Sequence, residues 1–65
     1  MVNANAGNER LWTVADLARY LGVPVGTIYK WRSAGEGPPG FRVGRYVRYK
    51  EQDVAAWLAT RRDQT

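Results

Sequence analysis

The chain contains no cysteine and no histidine, which removes thiolate nucleophiles, imidazole bases and the usual ligands of a structural zinc ion. Ser33 is its only serine, so a Ser-His-Asp arrangement cannot be assembled. The carboxylates (Glu9, Asp16, Glu36, Glu51, Asp53, Asp63) are scattered, mostly where helix caps would want them. These absences predict a protein that is not an enzyme and holds no metal or other cofactor. Also missing is any apolar run near the roughly 18 residues of a membrane span. Met1 to Arg10 lack the apolar core of a signal peptide. The expected location is the cytoplasm, with no membrane partner.

With 65 residues there is room for one domain. A chain of this size buries only about 60% of its unfolded surface. Three Trp, four Tyr and one Phe supply large buried area per residue in place of a disulfide or metal staple. Residues 1–10 are polar, without periodicity, and read as a disordered tail; residues 62–65 are expected to fray. The folded unit is expected over residues 11–61.

Thr13-Val14-Ala15-Asp16 has the form of a capping box, with Asp at the position that usually holds Glu. Trp12 and Leu17 are placed to staple that start. Val14, Leu17, Ala18 and Leu21 recur on one helical face, and Gly22 sits where a left-handed residue stops the helix. Pro24 suits the start of a second helix over residues 25–34, with Ile28 and Trp31 as its core stripe and Gly35 at its end. Residues 41–49, β-branched and aromatic around Gly44, predict a hairpin. Sidedness favours a three-residue loop, 44–46. That register pairs Val43 with Val47 and Phe41 with Tyr49 on one side, and sets Arg42 opposite Arg48 on the other. A third helix is expected over residues 51–61, with acids at its start, arginines at its end and Val54, Trp57 and Leu58 as its apolar stripe.

The charge is concentrated. The chain carries +4, yet residues 30–50 alone hold six cations (Lys30, Arg32, Arg42, Arg45, Arg48, Lys50) against Glu36. The remainder therefore nets −1, and the basic segment points to a polyanion. If Ile28 and Trp31 face the core, the second helix turns Gly26, Tyr29, Lys30 and Ser33 outward, with Val25 and Thr27 on the flanks. A small, polar, cationic face of that kind can enter the major groove of DNA. In the hairpin, Arg42 and Arg48 side by side would repel each other until a phosphate bridged them. Arg45 at the tip, between Gly44 and Tyr46, suits a minor-groove or phosphate contact, and Lys50 closes the basic segment. Trp12, Trp31, Phe41, Tyr49 and Trp57 are assigned to the core, and Tyr29 and Tyr46 to the binding surface.

Ala18-Arg19-Tyr20-Leu21-Gly22-Val23, followed by Ile28 and Trp31, resembles the helix-turn-helix pattern. Residues 41–49 together with Asp53-Val54-Ala55-Ala56-Trp57-Leu58 are similar to the wing and closing helix of small MerR-like winged-helix proteins. Phage and prophage excisionases (recombination directionality factors) and AlpA-type regulators belong to that group. The run Thr27-Ile28-Tyr29-Lys30-Trp31-Arg32 with the later Pro38-Pro39 is the most excisionase-like part. The likeness spans residues 11–58. It implies an α+β winged helix-turn-helix fold: three helices with a two-stranded β-hairpin wing. The recognition-helix residues would be Val25, Gly26, Thr27, Tyr29, Lys30 and Ser33, and the wing residues Arg42, Gly44, Arg45, Tyr46, Arg48 and Lys50. The resemblance further implies a nucleoid-associated protein that binds and bends double-stranded attachment-site DNA and directs an integrase toward prophage excision. Other copies of the chain on tandem sites are expected as partners. A transcription regulator of the AlpA or MerR kind is the alternative, and a protein-interaction module a more distant one. Full MerR regulators append a dimerisation coil and an effector domain, for which these residues leave no room, so no small-molecule effector is expected.

Overall fold

In the computed structural model, which describes residues 10–63, Thr13 opens the first helix, α1 (Val14–Leu21). The Thr13 hydroxyl oxygen accepts from the Asp16 backbone N–H at 3.0 Å, and the Thr13 N–H donates to the Asp16 carboxylate at 2.9 Å. The reciprocal capping box read from the sequence is present. These bonds hold the Asp16 carboxyl below the usual carboxylate range, the Thr13 backbone bond first and its hydroxyl second, with a smaller part from Arg19. Gly22, at φ +71°, ends the helix and donates to the Ala18 carbonyl at 2.8 Å. A side chain there would be strained, which is why glycine stops this helix so abruptly. Of the expected tail over residues 1–10, residues 1–9 lie outside the described residues, as do residues 64 and 65 of the expected frayed end.

Pro24, in extended backbone at φ −66°, is the N-cap of the second helix, α2 (Val25–Ser33). Ile28 is turned inward and fully buried. Trp31 packs on the core beside Trp57, their rings 5.6 Å apart. After α2 the Glu36 N–H returns to the Trp31 carbonyl at 2.7 Å, and Pro38 is buried. The wing follows as strands β1 (Phe41–Val43) and β2 (Tyr46–Arg48), and the third helix is α3 (Glu51–Ala59). It ends two residues short of the expected 61, because the Thr60 and Arg61 N–H groups turn back to the Trp57 and Leu58 carbonyls. The order of elements gives the α+β winged helix-turn-helix fold anticipated from the sequence.

The buried core is Val14, Leu17 and Ala18 from α1, Ile28 from α2, Tyr49 after the wing and Val54 from α3. Around it pack Trp12, Leu21, Val23, Trp31 and Val47. One link was not expected. Trp12 and Tyr49 form an antiparallel bridge, with backbone bonds of 2.7 and 2.9 Å in the two directions. The segment ahead of α1 thereby joins the root of the wing. Tyr49 then packs over Gly40, where a Cβ would lie 2.8 Å from its ring. Tyr20, unassigned from sequence, meets the Trp12 indole edge-on at 4.8 Å.

Two core assignments are corrected. Leu58 is 38% exposed and lines a shallow groove with Tyr20, Ala55 and Ala59, because the short α3 turns only Val54 fully inward. Phe41 is 44% exposed, and the reason is the register of the wing. Phe41 pairs with Arg48, Arg42 with Val47 and Val43 with Tyr46. The loop is therefore the two residues Gly44 and Arg45, and the expected pairing of Phe41 with Tyr49, Val43 with Val47 and Arg42 with Arg48 does not form. A three-residue loop would ask its last member, Tyr46, to adopt a left-handed conformation. Among the described residues only glycines have positive φ, Gly44 at +65° being one. Glycine at the first position of a two-residue loop matches the twist of the strands at little cost. Turn chemistry outweighs sidedness here.

Candidate nucleic-acid interface

The basic segment contributes two projecting elements. In α2 the core contact of Ile28 sets the rotation of the helix. Gly26, Lys30 and Ser33 are exposed on its outer face with Tyr29, which is 53% exposed. Val25 is exposed beside them and Thr27 is half-buried on the flank. All the recognition-helix candidates therefore reach one outer surface, Thr27 only in part.

The N-terminal end of α2 differs from those of its neighbours. Its cap, Pro24, has no side-chain hydrogen bond, and no acid lies in its first turn. By contrast α1 carries Asp16 there, and α3 carries Glu51 and Asp53. The positive end of the α2 dipole is thus left uncompensated by side chains, as suits an approaching anion. Lys30 and Arg32 lie in its last turn.

The wing candidates are distributed otherwise than expected. Cross-strand partners share a face, so Phe41, Val43, Tyr46 and Arg48 lie on one side and Arg42 lies with Val47 on the other. Val47 packs on the core, which makes the first side the outer one. Arg42 and Arg48 are therefore on opposite faces, and the phosphate bridging between them inferred from sequence has no geometric basis. Arg45 and Gly44 form the exposed tip, and Lys50, also exposed, is the N-cap of α3. Arg48 is half-buried. Its Nη1 donates to the Val47 carbonyl at 2.9 Å and its guanidinium lies 5.1 Å from the centre of the Tyr46 ring. Sequence reasoning missed Phe41 and Val43 as surface residues. The signal available was Gly44 as first residue of a two-residue turn.

The helix-turn-helix domain family matches residues 13–62. This chain belongs to that family. The match takes in α1, the turn at Gly22, α2, the wing and α3, and it supports double-stranded DNA as the ligand. No significant match was found among curated proteins or among solved structures. Among the described residues no helix is long and apolar enough to cross a membrane.

Proposed function

We propose that this helix-turn-helix protein is an architectural DNA-binding protein of the excisionase type. Its α2 lies in the major groove through Val25, Gly26, Thr27, Tyr29, Lys30 and Ser33. The wing, through Arg42, Gly44, Arg45, Tyr46, Arg48 and Lys50, holds the adjoining backbone or minor groove. Several copies on neighbouring sites bend attachment-site DNA so that a partner integrase assembles the excision complex. The folded unit that does this is residues 11–61. The observation that carries the reading is the placement of charge. Six cations against one acid fall within residues 30–50, from the last turn of α2 through the wing to the N-cap of α3.

Two experiments test it in turn. Duplex binding measured against salt should weaken by about 0.9 log units per log unit of salt for each phosphate contacted. Within that, Arg45→Ala should flatten the slope equally on all duplexes, whereas Lys30→Ala or Tyr29→Ala should reduce binding mainly on a selected site. The opposite pattern exchanges the roles of helix and wing. An excision assay with the cognate integrase, with and without the protein, then decides the finer function. Equal excision in its absence would leave a DNA-binding regulator of the AlpA or MerR kind.

A further inference from the structure

Apart from the elements proposed to meet DNA, α3 keeps one side exposed. Ala55, Leu58, Ala59 and Arg62 line a shallow groove there with Tyr20 and Arg61. Two large apolar side chains face it, Leu58 at 38% and Tyr20 at 57% exposure. The Tyr20 wall is braced from behind, since the Trp12 indole meets it edge-on at 4.8 Å. The Arg61 guanidinium is held over the Trp57 ring, 5.0 Å from its centre. None of the lining residues belongs to α2 or to the wing, so the groove is separate from the proposed DNA surface.

The charges along this side of α3 run in a definite order. Helical residues three, four and seven apart share a face. Glu51 therefore stands one turn before Ala55 on the side that ends at Arg62. Read along the chain, the side is acidic, then apolar, then basic. Neither Glu51 nor Arg62 forms an ion pair with another described residue. Such a face is complementary to its own copy turned end for end. Centring a two-fold axis between Ala55 and Leu58 sets Leu58 against Ala55 of the partner subunit, large side chain into small gap. The same register sets Glu51 against Arg62 of the partner subunit, and symmetry makes each contact twice. The two helix dipoles also run antiparallel.

The remaining surface of the chain is a poorer occupant. The other large exposed apolar residues, Val25, Tyr29, Phe41, Val43 and Tyr46, all fall within residues 25–50, which hold six cations and one acid. Docked in this groove they would bring that charge against Arg61 and Arg62. Two short helix faces bury less than the roughly 1,200 Å² of stable complexes, so the pairing is weak, with Kd on the order of 100 µM.

We propose that this side of α3 is the contact between two copies of the chain, an isologous antiparallel pair. The pairing belongs to the free protein and does not rest on the DNA-binding reading. Combined with that reading, it names the surface through which neighbouring copies touch and sets their half-sites as inverted repeats.

Sedimentation equilibrium between about 10 µM and about 1 mM protein reads the pairing directly. Wild type should rise toward the mass of two chains. Glu51→Arg and Arg62→Glu should each weaken association about tenfold, because each turns two attractions into two repulsions. Mixing these two variants should restore it, since both contacts between unlike chains then join an arginine to a glutamate. A variant that merely folded poorly could not be rescued in this way. Leu58→Ser, at an exposed position, should keep its circular dichroism melt and also lose about tenfold. Wild type that stays monomeric at the highest concentration overturns the proposal, as does a mixture that associates no better than its components. Wild type that stays monomeric while a variant lacking residues 1–9 pairs would give the groove to the chain's own leading segment. Association abolished by Phe41→Ser/Val43→Ser, and indifferent to the α3 variants, would move the contact to the wing. Wild type that pairs but binds no duplex at low salt removes the DNA-binding reading and leaves this inference standing.

Discussion

Gly26 offers a test in which stability and binding should move in opposite directions. It lies in the first turn of α2 with ordinary negative φ, exposed, and a Cβ built on it meets no atom within 4 Å. Gly26→Ala therefore adds a methyl group to open space and removes backbone freedom from the unfolded chain. Glycine costs a helix interior roughly 0.5–1 kcal/mol relative to alanine. A gain of about 0.5 kcal/mol is appropriate to a first-turn position, and for a domain of this size it raises Tm by roughly 2–4 °C. The same methyl points away from Ile28 toward the groove that α2 is proposed to enter. If backbone and base edges approach closely there, the variant should bind its selected duplex about tenfold more weakly, which is about 1.4 kcal/mol. Thermal melts followed by circular dichroism give the first quantity and anisotropy the second. A fall in Tm would mean that the position is not open. Unchanged affinity alongside a raised Tm would place the first turn of α2 outside the interface.

Gly40→Ala should act through packing alone. Its Cβ would stand 2.8 Å from a ring atom of the fully buried Tyr49 and 3.2 Å from the Arg48 carbonyl, and overpacking of this kind costs about 1–3 kcal/mol. A denaturant midpoint equal to that of wild type would contradict it. Thr13→Ala removes the hydroxyl half of the capping box and should lower stability by about 1 kcal/mol. The Asp16 carboxyl, lowered mainly by Thr13, sets a pH signature. Its contribution is fully present above the ordinary carboxylate range and is lost as pH falls through the lowered folded value. Melts from neutral to acidic pH should therefore show wild type losing a component that Asp16→Asn never had, and parallel curves would refute the linkage.

What the sequence disclosed depended on how local each signal was. The start of α1 is written within four residues, Thr13 to Asp16, and its end in Gly22; both bonds of the box and the left-handed glycine are present. The inward turn of Ile28 followed from its three-residue spacing with Trp31, and the outer surface of α2 came with it. The wing was less legible because two rules disagreed. Period-two sidedness assumed that one face of the hairpin is buried along its length. Only Val47 packs on the core, so the preference of Gly44 for the first position of a tight turn prevailed, and with it Phe41 and Val43 moved outward. The Trp12–Tyr49 bridge had no sequence signature: a single pair of residues carries no period. Leu58 shared a helical stripe with Val54, but among the described residues a core of six buried side chains fills before the stripe is used up.

The same bridge bears on how the protein can be handled. Trp12 enters the fold hydrogen-bonded to the residue that follows β2, so Arg10 and Leu11 lead into the domain at the root of the wing. A tag or fusion partner joined on that side becomes a lever on the hairpin, whose leverage grows with linker stiffness. One joined after residue 63 leaves beyond α3 instead. If the wing contacts DNA as proposed, fluorophores or immobilisation handles placed at the two ends should report differently on DNA binding.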